Sequence, residues 1–213
     1  MLTSTWNVDP VKVLTRRELA GVLNALDGRA LRSASERMNR VIFRLACCCG
    51  LRVSEIGALR LSDIYVGAGR PHVRVGPEGA KGKKARVVPL WWDARTLEDV
   101  AAWRRERENE GARPSDAFVC CLWPTRRGQR LIRHTIRERF RTACKSLGLE
   151  RLRRLTIHHG RHTFVSHALA GGRTLAEVRQ AAGHANLITT SVYLHIAVDD
   201  DATVGNLFAR PIV

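Results

Sequence analysis

Residues 157–172 read Ile157-His-His-Gly-Arg161-His162-Thr-Phe-Val-Ser-His-Ala-Leu169-Ala-Gly171-Gly172. The stretch predicts a helix over 157–169, ended by the glycine pair, with His158 and Arg161 three apart on one face. Downstream, Thr174-Leu-Ala-Glu177 is a capping box that opens another helix, which Gly183 terminates. His184 follows that glycine, and a last short helix is expected over 189–196, carrying Tyr193. Upstream, 133–147 predicts an amphipathic helix. Ile136, Phe140, Ala143, Cys144 and Leu147 form its apolar stripe, and Arg133, Arg137, Arg141 and Lys145 recur every fourth position beside it.

Farther out, 94–110 reads as a helix broken by Gly111 and Pro114, after a stretch of period two. In that stretch Ile64–Val66, Val73 with Val75, and Arg86–Leu90 predict three short strands, with the turn-forming residues 76–82 between the second and third. Thr15-Arg-Arg-Glu18 and Ser33-Ala-Ser-Glu36 are capping boxes for two N-terminal helices, which the sequence closes at Gly28 and Gly50. Arg52-Val-Ser-Glu55 starts a third, with Ile56 and Leu59 facing inward. The expected assembly is one α+β domain, mainly α-helical, with a small antiparallel sheet of about three strands.

The 213 residues carry 36 Lys+Arg against 20 Asp+Glu, a formal charge of +16, with 45% hydrophobic residues. That apolar fraction excludes disorder as a description of the whole. No apolar run is long enough for a membrane span, and the N-terminus lacks a signal-peptide pattern, so a cytoplasmic protein is expected. The charge surplus suits a polyanion such as nucleic acid, or reflects a generally basic surface. The six cysteines, at 47, 48, 49, 120, 121 and 144, form neither a disulfide framework nor a metal knuckle, and read as small buried hydrophobes of a reducing compartment.

Singly, the polar candidates have ordinary structural readings. His158 beside Arg161 reads as a hydrogen-bonded core pair, Lys81 as a solvated turn lysine, His184 as a carbonyl cap, and the row from Arg133 to Lys145 as a solvated face. The order and spacing carry more. Gly50-Leu-Arg-Val-Ser-Glu55, Lys81-Gly-Lys-Lys-Ala-Arg-Val-Val-Pro-Leu90, His158-His-Gly-Arg161-His162, Gly183-His184 and Tyr193 stand in one order. Arg161 lies 3 residues after His158, His184 follows it by 23, and Tyr193 follows by a further 9. Together these blocks resemble the tyrosine recombinases, or phage integrase family, over about residues 15–198.

The resemblance implies the catalytic-domain fold of that family and site-specific cleavage and rejoining of DNA through a covalent 3′-phosphotyrosine. It implies no metal, no ATP and no other cofactor. Arg52 and Arg161 would clamp the non-bridging oxygens of the scissile phosphate, a task that suits the planar, permanently charged guanidinium. Tyr193 would be the nucleophile, Lys81 the acid for the 5′-oxygen, and His158 the proton acceptor or hydrogen-bond partner of the tyrosine. His184 would donate to the phosphate, and Glu55 would orient Arg52 or a histidine. Lys83 and Lys84 are close substitutes for Lys81 and candidate DNA contacts, as are Arg133, Arg137, Arg141 and Lys145. His159 and His162 receive no role from the resemblance and read as structural or DNA-proximal.

Zinc is not expected, because His158 and His162 lack the glutamate that should follow the first histidine of a metalloprotease helix. Double-stranded DNA is the expected partner, with a monomer in solution, a homotetramer on paired sites and no membrane contact. Residues 1–198 would be the catalytic domain and 199–213 a tail, with Val204, Leu207 and Phe208 after Asp199–Asp201, docking in its own protomer or a neighbour. Arg52 comes too early for the N-terminal clamp domain usual in the family, so a stand-alone catalytic domain or a fragment is expected. A type IB topoisomerase-like relaxing activity and a catalytically inactive DNA-binding remnant are the alternative functions.

Overall fold

The computed structural model describes residues 9–78 and 85–194. Helix α1 (Arg16–Ala30) starts at the reciprocal capping box of Thr15 and Glu18, and buries Leu19, Val22, Leu26 and Ala30. It runs past the expected stop at Gly28, because that glycine keeps helical backbone and Arg29 is needed beyond it. The Arg29 guanidinium donates to the carbonyls of Thr142 (3.1 Å) and Ala143 (2.8 Å), pinning α1 to a neighbouring helix end. Helix α2 (Ala34–Cys47) is buried from Met38 through Cys47 on almost every side and is the hub of the molecule. It packs against α1, α3 (Val53–Ala58), α4 (Ala94–Asn109), α5 (Arg133–Ala143) and α7 (Ile157–Ala170).

Strands β1 (Ile64–Tyr65), β2 (His72–Val75) and β3 (Arg86–Pro89) form the expected three-stranded antiparallel sheet in the order β1-β2-β3. Val73 pairs with Ile64 on one side and Val88 on the other, so the three side chains share the buried face. Strand β3 packs on α8 (Leu175–Ala182), and α8 on α7, which carries the sheet up to the His-Arg helix. Helix α9 (Ile188–Ser191) ends the described chain together with the turn that bears Tyr193.

The expected single helix over 133–147 divides. Helix α5 stops at Ala143, a tight turn spans Cys144–Leu147, and Gly148 (φ +81) redirects the chain into α6 (Leu149–Arg154), which periodicity did not delineate. Six residues are too few to show a period, and the positive φ marks the break. All six cysteines are free, and all but Cys121 are buried. Burial pushes the Cys48 thiol up to about 11, and it raises Cys47, Cys49 and Cys144 as well. Among the described residues no helix is long and apolar enough to cross a membrane.

Candidate active site

The site begins at the backbone turn after α2. Gly50 has φ +65, a region L side chains avoid, and a Cβ there would overlap the ring of Phe164. The turn delivers Arg52 to the start of α3. Glu55, one helical turn later, accepts from the Arg52 backbone amide (2.7 Å) and from its guanidinium (2.9 Å). The same carboxylate accepts two bonds from Arg86 of β3, at 2.7 and 2.8 Å. Glu55 has no exposed side-chain surface and Arg86 only 8%. Glu55 thus touches Arg52, the partner expected from the sequence, and also Arg86, a partner the sequence did not single out.

Helix α7 is set close to α2 by Gly160, whose hypothetical Cβ would lie 3.0 Å from the Ala46 backbone. Arg161, buried, donates to the carbonyl of Gly50 (2.9 Å) and to that of Ala182. Arg86 donates through Nε to the adjacent carbonyl of Ala181 at 2.9 Å. Both arginines thus engage the C-terminal carbonyls of α8, where the helix dipole is negative and the last carbonyls lack helical partners. Gly183 (φ +67) closes α8 in the left-handed conformation, and His184 leaves it with Nδ1 2.9 Å from the Thr190 hydroxyl. The Tyr193 ring stacks near that of His184, 6.3 Å between centroids, and its hydroxyl lies 2.6 Å from Nδ1 of His162. Tyr193 is 5% exposed.

The hydrogen bond at the Tyr193 hydroxyl is made with a histidine to which the resemblance gave no role. His162, not His158, holds its hydroxyl, because Tyr193 meets α7 on the side where residue 162 projects. His158 is exposed, stands edge-on to His162 with centroids 4.9 Å apart, and lines a groove of about 580 Å³ with Arg52, Ser54, Arg137, Arg141 and Thr156. Arg133, Arg137, Arg141 and Lys145 are all exposed, and the middle two open onto this groove beside Arg52. Lys81, Lys83 and Lys84 lie outside the described residues, between β2 and β3, as does the tail 199–213.

Arg52 and Arg86 bond the Glu55 carboxylate and the Arg161 guanidinium stands near it, so burial acts first on the ionisable groups here and the surplus positive charge second. Burial by itself would raise the Glu55 carboxyl, but the hydrogen bonds and charges of Arg86 and Arg52 outweigh it and hold it below the usual range. Burial, with Arg52 and Arg86 nearby, pushes Arg161 down to about 9, still protonated at neutral pH. Burial and then Arg161, Arg52 and Arg86 hold His184 down at about 3. The His158 side chain keeps an open edge to the groove, and the partial covering of its ring, then Arg161 and Arg52, lower it. Burial raises the Tyr193 phenol, and Arg161 opposes the shift. At pH 7 Arg161 is therefore charged, His158 and His184 neutral and the phenol protonated. An anion with two or three exposed oxygens is the complement of such a cluster. Among the described residues no three His, Cys, Asp or Glu side chains are grouped to hold a metal ion.

A family model described as phage integrase family matches residues 12–199. The chain belongs to the phage integrase family. Tyrosine recombinase XerD of Pseudomonas putida is 30% identical over 192 residues, covering 87% of this chain and 58% of XerD. Tyrosine recombinase XerC of the same species is 34% identical over 175 residues, covering 82% of this chain and 53% of XerC. The chain thus spans about half the length of the curated relatives it matches. Among solved structures, XerH site-specific recombinase bound to difH substrate in a pre-cleavage complex superposes with a TM-score of 0.66 at 26% identity, covering 89% of this chain and 51% of that one. XerA recombinase gives a TM-score of 0.69 at 21% identity, covering 95% and 62%, which is a likeness of fold. The phage integrase match spans Arg52, Glu55, Arg86, His158, Arg161, His162, His184 and Tyr193.

Proposed function

We propose that this chain is the catalytic part of a site-specific DNA recombinase that breaks and rejoins DNA through a 3′-phosphotyrosine, with no metal and no ATP. The observation that carries the reading is the convergence of Arg52 and Arg161 with His158, His184 and Tyr193 from three separate stretches of chain. The family membership and the DNA-bound XerH relative support it. Phosphoryl exchange concentrates charge on the non-bridging oxygens while the attacking and leaving oxygens lie in line, so fixed cations lower its barrier. In this reading Arg52, Arg161, His158 and His184 bind those oxygens. Tyr193 attacks phosphorus, displaces the 5′-oxygen and retains the bond energy for rejoining. Lys81 protonates the leaving oxygen. Arg86 and Glu55 position Arg52 without touching DNA.

Double-stranded DNA is the partner in this reading, with Arg133, Arg137, Arg141, Lys145, Lys83 and Lys84 on flanking phosphates. The chain acts as a homotetramer on paired sites and a monomer in free solution, in the cytoplasm. Residues 1–198 form the catalytic domain, and 199–213 are a tail available to a neighbouring protomer. The test uses a duplex selected by the protein from a random-sequence pool, nicked next to the scissile bond so that cleavage is trapped. A covalent adduct that withstands EDTA and disappears in Tyr193→Phe is expected. Its absence, or its survival in that variant, overturns the reading. A plasmid carrying two selected sites should exchange its segments, whereas relaxation of plasmids without sites would mark a topoisomerase.

A further inference from the structure

The imidazole of His162 stands at the nucleophile itself. Its Nδ1 lies 2.6 Å from the Tyr193 hydroxyl, with the two rings tilted by 33° at a centroid distance of 5.6 Å. The other histidines nearby are engaged differently. Nδ1 of His159 receives the Thr156 backbone amide at 3.3 Å, Nδ1 of His184 faces the Thr190 hydroxyl, and His158 borders the groove beside Arg52. At about 100° per residue, His158 projects between Arg161 and His162 around α7. A phosphate gripped by Arg161 and His158 therefore lies one side-chain position from a phenol gripped by His162.

We propose that His162 is a further catalytic residue of this site, taking the proton from the Tyr193 hydroxyl on Nδ1 as the phenol oxygen bonds to phosphorus. The proposal rests on Tyr193 being the nucleophile. As the tyrosine O–H bond breaks, the O–P bond forms and the bond from phosphorus to the 5′-oxygen breaks; that oxygen takes its proton from Lys81. His162 becomes an imidazolium and returns its proton to the phenolate when the 5′-hydroxyl reattacks. The groups facing His162 are His158, His159 and Arg161 on its own helix, Lys12 from the N-terminal turn, and Tyr193 and His184 from the segment after α8. Burial, then His158, His159, Lys12 and Arg161, hold its pKa down at about 4, so the ring is neutral at pH 7 with a lone pair to offer. A base this weak takes the proton only as the phenol oxygen becomes acidic in the transition state, which couples proton removal to bond formation.

The experiment measures single-turnover adduct formation on the nicked duplex, made with the ordinary phosphodiester and with a 5′-bridging sulfur whose thiolate leaves without an acid. His162→Gln is expected to slow cleavage by about 10²- to 10⁴-fold on both substrates, with DNA binding unchanged. Replacing the tyrosines with 3-fluorotyrosine, a more acidic phenol, should recover part of the loss. Cleavage within about threefold of the unaltered chain, or full recovery on the sulfur substrate alone, overturns the proposal; the latter would place His162 on the leaving-group side. If His162→Gln does not fold, ¹⁵N resonances of the unaltered protein decide. A ring protonated on Nε2 with Nδ1 accepting is expected, and the Nδ1–H tautomer overturns it. An adduct surviving Tyr193→Phe would instead bring down the reading of the nucleophile.

Discussion

Glu55 sets the charge balance among the arginines, since its one carboxylate accepts from both Arg52 and Arg86. Removing one member of a buried ion pair strands the other, at a cost of about 3–5 kcal/mol. Glu55→Gln is therefore expected to lower the unfolding free energy by about that amount, read as a shift of the urea midpoint at unchanged slope. A shift below about 0.5 kcal/mol would show that the carboxylate is dispensable. Arg161, His184 and Tyr193 could be picked out in the sequence by their spacing from His158 and from one another, and Arg52 and Glu55 by the short block Gly50–Glu55 that comes before the others in order. Arg86 and His162 could not. Arg86 meets Glu55 across 31 positions and His162 meets Tyr193 across another 31, and only the packing of β3, α8 and the α9 turn brings them together.

At the scale of elements, the end of α8 holds the site's parts in register. Two successive carbonyls, of Ala181 and Ala182, receive Arg86 and Arg161, and Gly183 then turns the chain with φ +67. A Cβ on Gly183 would lie 2.7 Å from Cδ of Arg86 in addition to adopting a left-handed backbone, which alone costs roughly 1–2 kcal/mol. Gly183→Ala should destabilise the chain by at least that much and slow cleavage by more than tenfold, while binding of a DNA duplex changes little. Equal losses of binding and cleavage would argue against a positioning role. Helix starts were readable wherever a side chain caps its own helix, as at Thr15 and Thr174. The end of α1 was misplaced at Gly28 because glycine also serves inside helices, and α6 was missed because a tight turn, not a polar loop, separates it from α5.

For the molecule as a whole, acid is the condition that sets the buried groups against folding. The ordinary histidine value is 6.5, and the folded chain holds His162 at about 4 and His184 at about 3. Between those limits the unfolded chain binds protons that the folded chain refuses, so stability is full above pH 6.5 and falls as pH drops toward 4. Glu55, held below its ordinary 4.5, adds a further loss in more acidic solution. Urea midpoints at pH 7.5 and 5.0 should differ, and His162→Gln should narrow the gap; equal midpoints would contradict the depressed values. The exposed cations predict a second global property. Exchanging Arg133, Arg137 and Arg141 together for alanine should flatten the plot of log affinity against log salt by about 0.9 for each phosphate no longer neutralised, and an unchanged slope would leave those side chains off the DNA.

The shared carboxylate also constrains how such a chain can diverge. With Arg52, Glu55 and Arg86 tied through one group, a change at any of the three alters what the others can tolerate. A substitution at Glu55 would disturb both arginines at once, whereas loss of either arginine leaves the carboxylate paired with the other, so the carboxylate is the position least free to drift.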